Sequence, residues 1–378
     1  MADALLDIGP RRLSHERGGS GEPMLLVQGM SGHRRTWGER FPRLLAAEFD
    51  VLAYDHRGIG GSDRADEPFT IADLADDAAG VIRAAGWSSA HVLGVSMGGM
   101  VAQELALRHP GLVRTLTLGC TYGGPGGSLD GPGPGRLLAA MATRDPDVVT
   151  RAAFEVNLSA AYRAGEGAYE LFRDTALALR VPVPVVVMQA QAAARHDAVA
   201  RLGSLAAPTL LVHGTEDEMV PVANATHLAG LIPAARLELL PGVGHLFWWE
   251  RPELTATLVR DHALGTGRPS ERRVAGAFDA AEATLRSVLA DLDGNGSDAA
   301  DDLRRLVLAV SDSVATIRGD LADLRAEVRR ATAEPDPIPA APPTAAPTAD
   351  PPVDPLVPPP VVPPADPPVP PSSGASRG

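Results

Sequence analysis

The segment from Gly94 to Gly99, which reads Gly-Val-Ser-Met-Gly-Gly, constrains the fold of this chain more than any other. It fits the pattern G-x-S-x-G, with an apolar run before it at 90–95 and helix-like periodicity after it at 100–108. A strand that turns directly into a helix strains the residue at the turn, and small neighbours let the backbone close tightly there. The segment therefore predicts a strand–turn–helix unit that presents the Ser96 hydroxyl. A serine at such a turn could also have no chemical role.

An acid and a histidine follow Ser96 in the chain, each placed soon after a predicted strand. The strand at 209–213 precedes Asp217, and the strand at 237–240 precedes His245. A serine hydroxyl is a poor nucleophile, so it needs an imidazole to accept its proton, and the imidazole needs a carboxylate to fix its tautomer. The order serine, acid, histidine predicts Ser96 as nucleophile, Asp217 as acid and His245 as base.

Each of these assignments has a structural alternative. Asp217 could cap a turn, with Glu216 or Glu218 serving as the acid, and His245 could be an ordinary loop histidine. Three loop residues in this order, each at the end of a strand, favour the catalytic interpretation over coincidence.

Residues 8–262 resemble the α/β-hydrolase superfamily, and the nearest branch contains 3-oxoadipate enol-lactonases and polyketide methyl esterases. The matching segments are Val27-Gln28-Gly29-Met30, 54–62, 94–99, 214–217 with Val220-Pro221, and 242–245. Besides the three residues above, the resemblance implies an oxyanion hole formed by the backbone N–H groups of Met30 and Met97. The chain departs from the family at Gln28-Gly29, where members usually have His-Gly.

The resemblance implies a serine hydrolase that cleaves carboxylic esters or lactones through an acyl-enzyme on Ser96, with a small-molecule substrate and no cofactor. The same three residues serve C–C bond hydrolases and cofactor-free perhydrolases, so both remain alternatives. Epoxide hydrolases and dehalogenases of this fold carry aspartate in place of the serine, and the sequence disfavours them. With His245 as base, kcat/KM is expected to rise with pH through a midpoint around 6 to 7.

The predicted fold class is α/β: an α/β-hydrolase fold with a mostly parallel eight-stranded sheet and a helical cap. Apolar runs that alternate with helical patterns, such as those at 71–85 and 101–108, predict parallel strands. Seven strands are predicted from the residues themselves: 11–15, 24–28, 51–54, 91–95, 115–118, 209–213 and 236–240. The hydrolase domain is predicted to span 1–266, with a cap inserted at about 122–204.

Three residues are candidates for the substrate pocket: Gln28, Phe247 and Trp248. The two aromatic residues could instead pack the last helix against the sheet. The cap insertion opens with a loop rich in glycine and proline at 122–135 and continues with helical patterns at 136–202. Little charge accompanies its apolar residues, which favours an apolar or weakly polar acyl group in the substrate.

The sequence changes character beyond residue 266. Apolar residues within 274–328 recur at alternating steps of four and three, so 267–333 is predicted to form a two-helix, coiled-coil-like extension. The helices could pair within one chain or join two copies as a homo-oligomer. Residues 334–378 are rich in proline and are predicted to form a disordered spacer. A hypothesis of a different class is therefore an interaction or scaffold protein that acts through these helices and the tail.

Composition narrows the range of partners and sites. The net charge of −13 argues against nucleic acid or an anionic membrane surface as partner. One cysteine and the lack of a long apolar segment indicate a cytoplasmic protein. The histidines at 33, 56, 91 and 213 do not have the spacing of metal ligands, so no metal site is predicted.

Overall fold

The computed structural model describes residues 2–127 and 130–265, together with residues 285, 288–290, 301 and 303–316. The chain divides into two compact units, residues 1–279 and 280–378. The domain boundaries predicted at 266 and 333 lie outside the described residues.

Eight strands form one sheet in the first unit. They are β1 (Ala2–Asp7), β2 (Arg12–Gly18), β3 (Glu22–Val27), β4 (Phe49–Tyr54), β5 (Ala90–Val95), β6 (Val113–Gly119), β7 (Thr209–Gly214) and β8 (Arg236–Leu240). Their order across the sheet is β1-β2-β4-β3-β5-β6-β7-β8. β1 and β2 pair antiparallel, as do β2 and β4, and all the other neighbours are parallel. The prediction of a mostly parallel eight-stranded sheet is confirmed.

All seven strands predicted from the sequence are present, and the additional strand is β1. It is an edge strand that pairs only with β2, and its Leu5 side chain is half exposed. An edge strand has no continuous apolar run of the kind that marks a strand buried on both faces, which is why the sequence pattern missed it.

The helices of the first unit lie between and after these strands. They are α1 (Arg40–Leu45), α2 (Ile71–Ala84), α3 (Met97–Arg108), α4 (Pro132–Ala142), α5 (Pro146–Asn157), α6 (Ala160–Arg163), α7 (Ala168–Ala176), α8 (Val183–Ala194), α9 (Val199–Leu202), α10 (Ala223–Leu231), α11 (Phe247–Glu250) and α12 (Pro252–Ala263). α3 begins directly after Ser96, so β5 passes into a helix through a single residue.

Helices cover both faces of the sheet. On one face α2 and α3 pack through residues such as Leu74 and Leu105, and on the opposite face α1, α11 and α12 pack through residues such as Phe41 and Val259. Because both faces are covered, the central strands are mostly apolar, and all six residues of β5 and of β7 are buried.

Helices α4 to α9 form the predicted cap. The first of them begins at Pro132, four residues earlier than predicted, because proline suits the first turn of a helix, where its missing N–H has no intrahelical partner. The cap has a small core of its own, made by Phe154, Leu158, Ala168 and Phe172. Near its end, Arg201 forms an ion pair with Glu104 on α3, which ties the cap to the helix that follows Ser96.

Part of the predicted C-terminal extension is described. Residues 303–316 are helical, which agrees with the second predicted helix over that length. Along the predicted seam, Val307 is buried, whereas Leu303 and Val310 are 45% and 43% exposed. The remainder of 267–333 and the tail at 334–378 lie outside the described residues. Within the part of the chain that the structure describes, no helix is long and apolar enough to cross a membrane.

Candidate active site

Ser96 lies at the turn between β5 and α3. Its φ of 55° and ψ of −126° fall in a region that non-glycine residues seldom occupy. Two hydrogen bonds hold this conformation. The N–H of Ser96 donates to the carbonyl oxygen of Gly119 at 2.9 Å, and the Thr121 hydroxyl donates to the carbonyl oxygen of Ser96 at 2.7 Å. The local geometry is the strand–turn–helix unit expected from the sequence.

Glycines allow the segments around Ser96 to approach closely. A Cβ atom on Gly94 would lie 2.2 Å from the carbonyl oxygen of Gly98, and a Cβ atom on Gly98 would lie 2.2 Å from that of Val27. Both distances are far too short for a carbon–oxygen contact. Gly29 faces Ser96 in the same way, since a Cβ atom on Gly29 would lie 3.5 Å from the Ser96 hydroxyl oxygen. The loop after β3 therefore borders the serine.

Asp217 and His245 meet on the loops that follow β7 and β8. The Nδ1 atom of His245 lies 2.7 Å from Oδ2 of Asp217, and both side chains are buried. The other carboxylate oxygen of Asp217 accepts hydrogen bonds from the backbone N–H groups of Met219 and Val220, at 2.8 and 2.9 Å. The carboxylate and the imidazole are therefore hydrogen-bonded directly.

The two neighbouring glutamates do not reach His245. Glu216 is exposed, and Glu218 forms an ion pair with Arg136 of the cap at 2.8 Å. Of the three acidic residues that the sequence offered, the structure brings Asp217 to the histidine.

The pKa values of the pair shift in opposite directions. Burial alone would raise the pKa of Asp217, but the imidazoles of His245 and His213 outweigh burial and lower this pKa well below its usual range. Burial alone would lower the pKa of His245, but the Asp217 carboxylate, together with the adjacent Cys120, raises it well above the ordinary value of 6.5. The arrangement therefore stabilises the protonated form of His245.

His213 is a second partner of Asp217 that the sequence analysis treated only as a scattered histidine. Its Nε2 atom lies 3.1 Å from Oδ2 of Asp217 and 2.8 Å from the carbonyl oxygen of Val220. A carbonyl oxygen only accepts hydrogen bonds, so Nε2 carries a proton and donates. The signal in the sequence was the position of His213 in β7, four residues before the acid.

Cys120 is a buried neighbour of both Ser96 and His245. It follows β6, and its thiol lies beside the His245 imidazole and the Ser96 backbone. Burial raises the pKa of the Cys120 thiol, so the thiol stays neutral. The Ser96 hydroxyl itself makes no hydrogen bond within the described residues. Hydrogen bonds between catalytic groups are often long before substrate binds.

Cys120, Asp217 and His245 are residue types that bind metal ions, and their donor atoms all lie within 4.8 Å of one another. A metal ion would have to displace the hydrogen bond between Asp217 and His245, and also the proton on the His245 ring. The donor set therefore fits a proton-transfer pair better than a metal site.

Two backbone N–H groups near Ser96 are free. Neither the N–H of Met30 nor that of Met97 donates a hydrogen bond within the described residues. Met97 is the first residue of α3, where the helix dipole places partial positive charge. The N–H groups expected for an oxyanion hole are therefore unengaged.

Gln28 stabilises the loop that carries Met30 through hydrogen bonds. Its side-chain Oε1 accepts the N–H of Gly29 at 2.9 Å, and its carbonyl oxygen lies 2.9 Å from Nε2 of His56. Gln28 is buried, so it supports the loop from within. A glutamine at this position is therefore compatible with an ordered loop.

Phe247 and Trp248, predicted as pocket residues, belong to the core beneath α11. Both are almost completely buried, and Trp248 packs on Trp37 with 5.1 Å between ring centroids. Trp248 borders a cleft of about 1390 Å³ that none of the three residues Ser96, Asp217 and His245 lines. Helix α11 begins two residues after His245, and its Phe247 ring packs against Gly119, where an added Cβ atom would lie 2.5 Å from the ring.

Residues 24–258, more than half of the chain, match the family model described as "Alpha/beta hydrolase family". The chain belongs to the alpha/beta hydrolase family. The match covers the sheet from β3 onward, the cap and the loops that carry Ser96, Asp217 and His245.

Individual relatives cover the same region. The chain is 29% identical to BpoC of Mycobacterium tuberculosis, provisionally named a non-heme bromoperoxidase, over 65% of this chain and 95% of that protein. It is 31% identical to RutD of Azorhizobium caulinodans, provisionally named a carbamate hydrolase, over 65% of this chain and 92% of that protein. A solved structure of a thermophilic esterase from Thermogutta terrifontis is 27% identical with a TM-score of 0.59, covering 69% of this chain and 97% of the esterase.

Proposed function

We propose that this protein is a serine hydrolase that cleaves carboxylic esters or lactones through an acyl-enzyme on Ser96. The free backbone N–H groups of Met30 and Met97 carry the proposal. Donors without a partner in the resting protein are ready to bind the negative oxygen that develops during acyl transfer, and one such donor typically contributes about 10²–10³ in rate.

The proposed reaction has two halves. Nε2 of His245 takes the hydroxyl proton of Ser96 while the serine oxygen bonds to the carbonyl carbon, and Met30 and Met97 bind the resulting oxyanion. The bond to the leaving alcohol then breaks, and His245 returns the proton to that alcohol. Water attacks the acyl-enzyme in the same way, which releases the carboxylic acid and restores the Ser96 hydroxyl. Asp217 keeps Nδ1 of His245 protonated throughout.

The relatives support hydrolysis at a carbonyl carbon. One is an esterase, and another is provisionally named a carbamate hydrolase, which would also act on an acyl carbon bonded to a heteroatom. The relative named for bromoperoxidase activity favours a second candidate, perhydrolysis, in which hydrogen peroxide replaces water as the acceptor of the acyl group. Both candidates use the same acyl-enzyme.

A fluorophosphonate probe tests the proposal. We expect the folded protein to be labelled on one residue, with labelling and ester turnover both lost in Ser96→Ala. Ser204→Ala, which removes an exposed hydroxyl that donates to the carbonyl oxygen of Arg201, is the matched control and should behave as the wild type. If the folded wild-type protein is not labelled, the proposal fails and the scaffold hypothesis gains support.

A panel of aryl esters, methyl esters, lactones and carbamates, each assayed with and without hydrogen peroxide, identifies the acyl acceptor and the substrate class. Formation of peracid at the expense of carboxylic acid would favour perhydrolysis. Free acid as the product under both conditions would favour simple hydrolysis.

A further inference from the structure

Gln189 reaches from the cap to the loop that carries Met30. It lies on α8, is completely buried, and its Oε1 accepts the backbone N–H of Ser31 at 2.9 Å. One turn earlier on the same helix, Val185 packs against Gly58, where an added Cβ atom would lie 2.7 Å from a Val185 methyl group. Helix α8 therefore contacts the loops that follow β3 and β4 directly.

The hydrogen bond to Ser31 determines which way the Gln189 amide points. A backbone N–H can donate only to an acceptor, so the carbonyl oxygen of Gln189 faces Ser31 and the NH₂ group faces away. That NH₂ group is buried and has no hydrogen-bond partner in the structure. Because buried polar groups are nearly always paired, this donor points to a partner that the described residues do not supply.

The contact joins Gln189 to the loop that borders Ser96. Ser31 has a φ of 57°, which a non-glycine residue adopts only when contacts hold it, and the bond from Gln189 is such a contact. The residue before Ser31 is Met30, whose N–H is free, and the residue before that is Gly29, which faces the Ser96 hydroxyl. Gln189 therefore contacts the same loop that borders the Ser96 hydroxyl.

Gln28 offers a comparison within the same loop. Its NH₂ group is also buried and unpaired, but its side chain folds beneath Gly32, where an added Cβ atom would lie 2.9 Å from its oxygen. Gln28 thus belongs to the body of the domain, whereas Gln189 comes from the cap. A substrate bound between the two parts would meet the amide that the cap supplies.

We propose that Gln189 binds the substrate: its NH₂ group donates a hydrogen bond to a second acceptor oxygen of the ester or lactone, an oxo or hydroxyl group near the scissile carbonyl. The proposal rests on the proposed hydrolase function. It narrows the expected substrate from an apolar or weakly polar acyl group, which the sequence favoured, to an oxo- or hydroxy-substituted one. Through its oxygen, the same side chain holds the loop that carries Met30 against the cap.

Two p-nitrophenyl alkylphosphonates that differ only in one oxo group on the alkyl chain test the proposal. Both would phosphonylate Ser96 and release coloured p-nitrophenol, so the assay needs no turnover. Gln189→Glu keeps the acceptor for Ser31 and removes the donor. We expect the wild type to react faster with the oxo compound than with the plain compound. Gln189→Glu should reduce the ratio of these two rates by about tenfold or more, even if it also changes both rates by a common factor.

Two further variants complete the design. Gln191→Glu places the same charge at an exposed position of α8 and should retain the wild-type ratio. Gln189→Met removes donor and acceptor without adding charge, so it should lose the preference for the oxo compound. It should also lower the reaction rates of both compounds, because Ser31 loses its hydrogen-bond partner. Circular dichroism and Tm identify any variant that fails to fold.

The possible failures are distinguishable. If the wild type reacts with both phosphonates but shows no preference, or if Gln189→Glu keeps the wild-type ratio, the role of Gln189 is structural and this proposal is overturned. If the wild type reacts with neither compound nor with the fluorophosphonate probe, the proposed hydrolase function itself fails.

Discussion

Asp217 illustrates, at the scale of single residues, what a buried carboxylate requires. It accepts hydrogen bonds from His245, His213 and two backbone N–H groups, so both of its oxygens are engaged. A buried charge is costly unless it is paired and hydrogen-bonded, and these four donors meet that requirement. The exposed Glu216 next to it lacks such surroundings.

We therefore predict that Asp217→Asn lowers kcat by about 10⁴, because an amide no longer holds the His245 ring in the correct tautomer. Glu216→Gln and Glu218→Gln neutralise the adjacent acids and should leave kcat little changed. Steady-state kinetics on one ester measures all three variants. An equal loss of kcat in Glu218→Gln would contradict the assignment of Asp217 as the acid.

The pH profile is a second prediction at this scale. His245 accepts a proton only when it is neutral, so activity rises as the pH passes upward through its pKa. Because Asp217 raises that pKa, we expect the midpoint of kcat/KM above 6.5, in or beyond the upper half of the range around 6 to 7 that the sequence suggested. In Asp217→Asn the residual activity should have its midpoint at lower pH. A wild-type midpoint at or below 6.5 would contradict this account.

The elements around Ser96 depend on close backbone contact. β5, α3 and the end of β3 approach each other so closely that Gly94 and Gly98 leave no room for a side chain. Ser96 is thereby held in its unusual conformation by packing between elements, in addition to its own hydrogen bonds. The geometry of the turn is a property of the whole strand–turn–helix unit.

We expect Gly98→Ala to lower the free energy of unfolding by about 1–3 kcal/mol or more, because its Cβ would overlap the carbonyl oxygen of Val27. Gly230→Ala is the matched control. Gly230 also lies in a helix, α10, but has no atom near the position of an added Cβ, so alanine should leave stability unchanged or raise it by up to about 1 kcal/mol. Urea unfolding followed by circular dichroism measures both. A stable Gly98→Ala variant would show that the contact can relax.

At the scale of the whole molecule, the residues of the candidate site all lie in the first of the two units. The second unit contains the helix at 303–316, on which Leu303 and Val310 of the predicted seam are partly exposed. Exposed apolar residues at heptad spacing favour association with another helix.

We predict that the full chain self-associates through this seam. The double substitution Leu303→Glu/Val310→Glu should convert it to a monomer in light scattering, because it places a charge at the same seam position of two successive heptads, and charges in the seam oppose helix pairing. Leu306→Glu/Leu308→Glu alters exposed leucines away from the seam and should leave the oligomer intact. Labelling of Ser96 should be the same in all forms. A monomeric wild type would indicate that the seam pairs within one chain.

The parts of this protein that the sequence by itself determined are local ones. Seven strands, the turn at Ser96 and the order of Ser96, Asp217 and His245 could be predicted because hydrophobic periodicity and turn chemistry depend on residues close together in the chain. The family resemblance added the eighth strand and the cap. The weakly patterned edge strand β1 could not be placed from its own residues.

Only the tertiary structure decided which side chains meet. It selected Asp217 over two adjacent glutamates, added His213 and Cys120 to the site, moved Phe247 into the core and brought Gln189 from the cap to Ser31. Each of these outcomes depends on burial and on contacts between segments far apart in the chain. A residue's type and its near neighbours do not specify such contacts, because they form only when the sheet and the cap pack together.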